Sequence, residues 1–157
     1  MRNRDVSSIS TDAQGKIFPW LVVILLINNE GKIALKETNT GKHALLKEFG
    51  GSIEGLEFSY KETVERTLDK HNISAKKIVI GEVLDIKDSY RADLRNYKKI
   101  FVRVDVSEAR ICPDKVNPAG WYFPSDIFFL TMSDEDKKLI AREFGLDEKR
   151  FAKAAAV

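Results

Sequence analysis

The chain has 157 residues, 43% hydrophobic and 32% charged, which is enough apolar material for one buried core without metals or disulfides. Its 26 Lys plus Arg against 24 Asp plus Glu leave a net charge of +2, too balanced for a surface built around nucleic acid. A single cysteine, Cys112, excludes an internal disulfide and a cysteine zinc cluster. The strongest apolar run, residues 17–27, is interrupted by Pro19 and is about half of the roughly 20 residues that a membrane helix needs. Asn28-Asn29-Glu30-Gly31 follows it where a signal peptide would carry small residues. The expectation is a cytoplasmic, single-domain protein: a polar arm over residues 1–16, mobile or a short edge element, and one domain over 17–157.

Residues 20–27 are an unbroken, β-branched run, the pattern of a strand buried on both faces. The turn at 28–31 and the apolar 32–35 make a hairpin with it. A polar loop over 37–42 leads to Ala44-Leu45-Leu46, and Gly50-Gly51 closes this short strand. Ser59 to Glu62 reads as a capping box opening a helix, with Val64 and Leu68 one turn apart as its buried seam and Asn72 as a left-handed stop. Two strands follow, over 77–86 and 98–106. In the second, Ile100, Val102, Val104 and Val106 alternate with Phe101, Arg103 and Asp105. Residues 108–120, with Pro113, Pro118 and Gly120, form a loop, and 121–124 a last strand ended by proline. Ser133-Asp134-Glu135-Asp136 is a second capping box, opening a helix that runs to Gly145, and an amphipathic piece covers 147–156. This order predicts an α+β sandwich, with helices packed on a mixed sheet.

The stretch Gly50-Gly51-Ser52-Ile53-Glu54-Gly55-Leu56-Glu57, followed by a helix containing Arg66, resembles the signature of the Nudix hydrolases. That signature runs Gly, five residues, Glu, seven residues, Arg-Glu, an apolar residue, one residue, Glu-Glu, one residue, Gly. Gly51 and Glu57 keep its spacing, and the elements around the box follow the family's order over residues 18–144. The resemblance implies an α/β/α sandwich with a mixed central sheet, and a pyrophosphate-handling, MutT-like protein whose helix glutamates hold Mg²⁺ against the ligand.

The second half of the box departs from the pattern. Strict spacing from Gly51 puts Glu65-Arg66 and Asp69-Lys70 where the family has Arg-Glu and Glu-Glu. Letting the cap and the buried seam set the register instead inserts one residue, Phe58, and aligns Arg66 with the family arginine. Thr67, Lys70 and His71 then replace the glutamates. Mg²⁺ requires hard oxygen ligands, which a lysine does not supply.

The candidates are therefore these. Gly50 and Gly51 approach a phosphate through backbone amides or simply make a tight turn. Glu54 and Glu57 are metal ligands or loop carboxylates, Glu57 pairing with Arg66 to pin the loop. Glu65 and Asp69 are a solvated stripe or, with Glu57, a rebuilt catalytic acidic site. Lys70 and His71, with Arg66, hold phosphate oxygens in place of a metal or are surface residues. The basic, aromatic segment 90–99 is a solvated hairpin loop or a stacking surface, Trp121 a core residue, and His43 a lone histidine. The function expected is nucleotide or diphosphate binding on a Nudix-type fold with its metal-binding glutamates mostly lost. The alternative is a divergent Mg²⁺-dependent hydrolase of nucleoside diphosphate-linked substrates. Homodimers are common in this family, but the sequence sets no oligomeric state.

Overall fold

The computed structural model describes residues 20–50, 52–54, 57–91, 95–113 and 115–146. The N-terminal arm over 1–16 and the amphipathic piece over 147–156 lie outside them. The centre is a six-stranded mixed sheet: β1 (Trp20–Ile27), β2 (Ile33–Glu37), β3 (His43–Phe49), β7 (Lys77–Arg91), β8 (Arg95–Ser107) and β10 (Ala119–Tyr122), in the order β10-β2-β3-β1-β8-β7. β1 runs parallel to β8, with Trp20 opposite Lys98 and Ile27 opposite Asp105, and the other pairings are antiparallel.

β1 is buried along its whole length because both of its faces are covered. Val22, Ile24 and Leu26 face one layer, with Val64 and Leu68 of helix α1 (Lys61–Lys70) and Val102 and Val104 of β8. Val23, Leu25 and Ile27 face the other, with Ile127 and with Leu139 and Ile140 of helix α2 (Asp134–Phe144). The result is the α/β/α sandwich with a mixed sheet that the sequence predicts. Among the described residues no helix is long and apolar enough to cross a membrane.

Several expectations need correction. β1 and β2 meet only at Ile27 and Ile33, because β3 is inserted between them. The ribbon β7–β8 is longer than expected and reaches Arg91 opposite Arg95, so most of the basic segment is strand. Residues 121–124 give only the end of β10; Pro124 instead opens a 3₁₀ turn, Pro124–Phe129. Two short ladders were not anticipated: β4 (Ser52–Glu54) with β5 (Glu57–Ser59), and β6 (Ile73–Ser74) with β9 (Arg110–Ile111).

The cap of α2 is as predicted in its Ser133 half, while Asp136 spends its carboxylate on Leu45 N rather than closing the box. Ser133 Oγ accepts from Asp136 N at 3.2 Å, and Gly145 ends the helix in the left-handed region at φ 65°. The cap of α1 is not. Ser59 is held in β5 opposite Ser52, so the helix begins one residue later, with Tyr60 at the N-cap and no side-chain cap bond. Tyr60 sets this boundary: its ring packs on the core, its hydroxyl donates to the Gly81 carbonyl at 3.3 Å, and its own carbonyl takes the first helical bond from Val64 N. Asn72 does stop the helix, at φ 56°.

Candidate functional site

The box stretch runs from the end of β3 through Gly50 and the β4–β5 hairpin into α1. In the hairpin, Ile53 lies opposite Phe58 and Glu54 opposite Glu57. Phe58, expected as an extra loop residue, is thus taken up in a strand. The two glutamates are backbone partners beside 55–56; their side chains and Gly51 lie outside the described residues.

Gly50 sits where α1 presses on the end of β3. A Cβ there would come within 2.5 Å of Arg66 Nη2 and 2.6 Å of Thr63 Oγ1, so the glycine is required by close approach. Arg66 Nη2 donates to the Phe49 carbonyl at 2.8 Å. The arginine therefore does pin the start of the loop, through a main-chain carbonyl. Its expected partner in that task, the Glu57 carboxylate, is not among the described side chains.

Facing inward from α1, Val64 and Leu68 are buried as the seam predicts. Thr67 is fully buried, and its hydroxyl donates to the Thr63 carbonyl one turn back at 2.7 Å. His71 is 1% exposed. Its Nδ1 lies 3.0 Å from the Asn117 carbonyl, and since a carbonyl only accepts, Nδ1 carries the proton. Burial is the main influence lowering the His71 pKa below its ordinary value. Lys70 and Lys36 push it the same way, against the Asn117 bond and Glu48. The neutral imidazole ties the end of α1 to the loop before β10.

Lys70 is half-exposed, and its Nζ lies 3.7 Å from a Glu48 carboxylate oxygen on β3. Glu65 and Asp69 are exposed on the outer side of the helix. The nearest side chains to Gly50 are those of Thr63 and Arg66, not this acidic pair. So the structure brings together Gly50, Arg66 and Thr63 at one end of α1, and Lys70, Glu48 and His71 at the other. Thr63, Glu48 and Lys36 are additions to the residues singled out from the sequence. Glu48 was legible in principle: it is two residues beyond the inward-facing Leu46, so the period of β3 puts it on the α1 face.

The family's divalent cation can be tested against these donors. Thr67 spends its hydroxyl on its own helix, Lys70 brings a positive charge, and His71 gives its protonated nitrogen to Asn117. None of the three offers a hard anionic oxygen, so this part of the helix does not fit Mg²⁺. Among the described residues there is no group of three or more His, Cys, Asp or Glu side chains able to hold a metal.

UDP-X diphosphatase superimposes with a TM-score of 0.59 at 13% identity, over 89% of this chain and 68% of that one. C. elegans Ap4A hydrolase does so with 0.56 at 12%, over 82% and 97%, and a NUDIX-family hydrolase from Clostridium perfringens with 0.56 at 10%, over 79% and 97%. The architecture is therefore the fold that these hydrolases, the NUDIX-family one among them, share. At these identities the relationship is one of fold. No protein-family model matches the sequence, and no curated protein matches it.

Proposed function

We propose that this chain is a Nudix-fold protein that binds a nucleotide or diphosphate ligand and has given up efficient metal-assisted hydrolysis. The observation that carries the reading is on α1. At the three positions aligned with the family's helix glutamates, two side chains are buried in structural hydrogen bonds and the third is a lysine paired with Glu48. Metal clamping supplies much of the charge stabilisation in phosphoryl chemistry, so losing it costs turnover before it costs binding. Support for the ligand class comes from the fold's neighbours, whose names include a UDP-X diphosphatase and an Ap4A hydrolase. Gly50 with Gly51, Arg66 and Lys70 are the groups proposed to meet the ligand. The reading takes 17–157 as one cytoplasmic domain acting on a small molecule, with no nucleic acid or membrane partner.

A second reading has one feature in its favour. Glu54 and Glu57 are backbone partners in the hairpin, and Glu65 and Asp69 are exposed on the adjoining helix. A divergent Mg²⁺-dependent hydrolase would draw its metal ligands from these four, with water attacking phosphorus.

The test is a panel of nucleoside triphosphates, ADP-ribose, dinucleoside polyphosphates and capped RNA, with calorimetry alongside turnover. The expected result is ligand binding that needs no Mg²⁺, weakens in Lys70→Ala, and is accompanied by near-background hydrolysis. Ordinary enzymatic rates with Mg²⁺, lost in Glu57→Gln or Glu65→Gln, would establish the hydrolase instead.

A further inference from the structure

On the face of the sheet away from α1, a cleft of about 240 Å³ opens between the β7–β8 ribbon and α2. Its floor is Phe101 and its rim carries Asp85, Lys87, Glu135, Lys138 and Arg142. The charges are unevenly satisfied. Lys99 holds Glu135 at 2.6 Å, a short charge-assisted bond. Lys87 Nζ, by contrast, stands 3.9 Å from Asp85 and 3.8 Å from Glu135, beyond hydrogen-bond range of both. Arg142 Nη1 is likewise 3.9 Å from Asp85. Lys138 has no ion-pair partner among the described residues.

We infer that this cleft is a second, separate anion site, taking a phosphate or diphosphate oxyanion between Lys87, Lys138 and Arg142. It goes beyond the reading of the α1 face and does not depend on it. Three cations converge there: Lys138 has no ion-pair partner among the described residues, Asp85 and Glu135 hold Lys87 only at a distance, and Arg142, paired through Nε with Glu143, keeps Nη1 3.9 Å from Asp85. Asp85 meanwhile commits its other oxygen, Oδ1, to the Ile86 amide at 2.9 Å. Monodentate donors from three directions suit a tetrahedral phosphoryl group better than a planar carboxylate, which prefers a bidentate fork. Arg142 sends Nε to Glu143 and Nη2 to the Leu84 carbonyl, so the fork formed by these two nitrogens is in use and Nη1 is left for the cleft. At about 240 Å³ the cleft has room for a diphosphate group.

The experiment is calorimetric titration of the whole protein with inorganic pyrophosphate at low ionic strength, where such contacts are least screened. Wild type, Lys87→Ala/Lys138→Ala, Lys70→Ala and Asp85→Asn are compared. The expected result is a binding component that weakens about tenfold in the double variant, the effect of losing two charge-assisted contacts, and that persists in Lys70→Ala even where that variant weakens a separate component at the α1 face. Asp85→Asn keeps an oxygen for the Ile86 amide but removes a competing charge, so it should bind a few-fold more tightly. An ion-pair network with a purely structural role would not produce that gain. Titration with ADP separates the sources of the oxyanion. ADP affinity unchanged in the double variant supports free pyrophosphate, and ADP affinity that falls with it supports the phosphoryl end of a larger ligand. No pyrophosphate binding, or binding that is lost in Lys70→Ala and indifferent to Lys87 and Lys138, overturns the site. The latter result would leave the α1 reading standing.

Discussion

The Lys70 ammonium lies 3.7 Å from the Glu48 carboxylate, joining the last turn of α1 to β3 beside the glycine loop. Both side chains are partly exposed, so the pair adds at most about 1 kcal/mol to stability. Its consequence is chemical: the Glu48 carboxylate is neutralised by a cation from the last turn of α1. Lys70→Glu converts the ion pair into two neighbouring carboxylates, the elements of a divalent-cation site. Millimolar Mg²⁺ should then raise the melting temperature by about 2 °C more in the variant than in wild type, because a ligand that binds only the native state stabilises it. Equal Mg²⁺ responses in differential scanning fluorimetry would contradict this account of the helix.

Restoring all three glutamates is a different matter. Thr67 and His71 are buried and hydrogen-bonded, so Thr67→Glu and His71→Glu place carboxylates in the core without partners. The triple variant with Lys70→Glu should unfold rather than gain activity, and loss of the cooperative urea transition will show it. Had these positions been solvent-facing, the triple variant would have been the natural way to recover a metal site.

Gly50→Ala tests the contact that shapes the loop. The added methyl meets Thr63 Oγ1 and the Arg66 head group, and displacing them should cost about 1–3 kcal/mol in urea denaturation. Thr63→Ala removes one of the obstructing atoms, so the double variant should lose less than the sum of the single losses. Strict additivity would mean that the two residues do not press on each other.

His71 makes stability depend on pH in a stated direction. Its pKa in the folded protein is lowered, so the unfolded chain takes up a proton first as the solution is acidified. The contribution is present above the ordinary histidine value of about 6.5 and is lost as pH falls through the lower, folded value. An asparagine amide can still donate to the Asn117 carbonyl, so His71→Asn should show a smaller fall in urea midpoint between about pH 7.5 and pH 5. A fall as large as that of wild type would assign the pH dependence to other groups.

Asp136 is buried at the start of α2, and its carboxylate accepts from Leu45 N at 3.2 Å, where β3 is no longer flanked by β1. Burial raises its pKa, so its stabilising contribution is full below the ordinary carboxylate value and declines as pH rises through the folded value. Asp136→Ala strands the Leu45 amide and should cost about 1–3 kcal/mol. Asp136→Asn keeps an acceptor without the charge, and at neutral pH it should be at least as stable as wild type. Equal losses in the two variants would show that the amide needs no partner.

The sequence by itself determined the layers. The buried run of β1, the period of β8, the Val64–Leu68 seam and the Ser133 cap are local patterns, each set by which atoms leave water together within a few residues. They were enough to give the three-layer class and the box with its arginine. Tertiary structure decided what local patterns do not contain. Ser59 has the chemistry of a cap, yet pairing with Ser52 holds it extended, and the Tyr60 contact with Gly81 starts the helix one residue on. His71 reads in the sequence as a phosphate-holding or surface residue, and only packing against the loop at Asn117 puts it inside, as packing against the sheet buries Thr67. Lys70 and Glu48 are 22 positions apart, and Lys87 and Lys138 come from a strand and a helix still further apart, so these charges become neighbours only when the strands and helices stack. Hydrophobic period is written along the chain, whereas the partner of a polar group is set by which distant segment arrives opposite it.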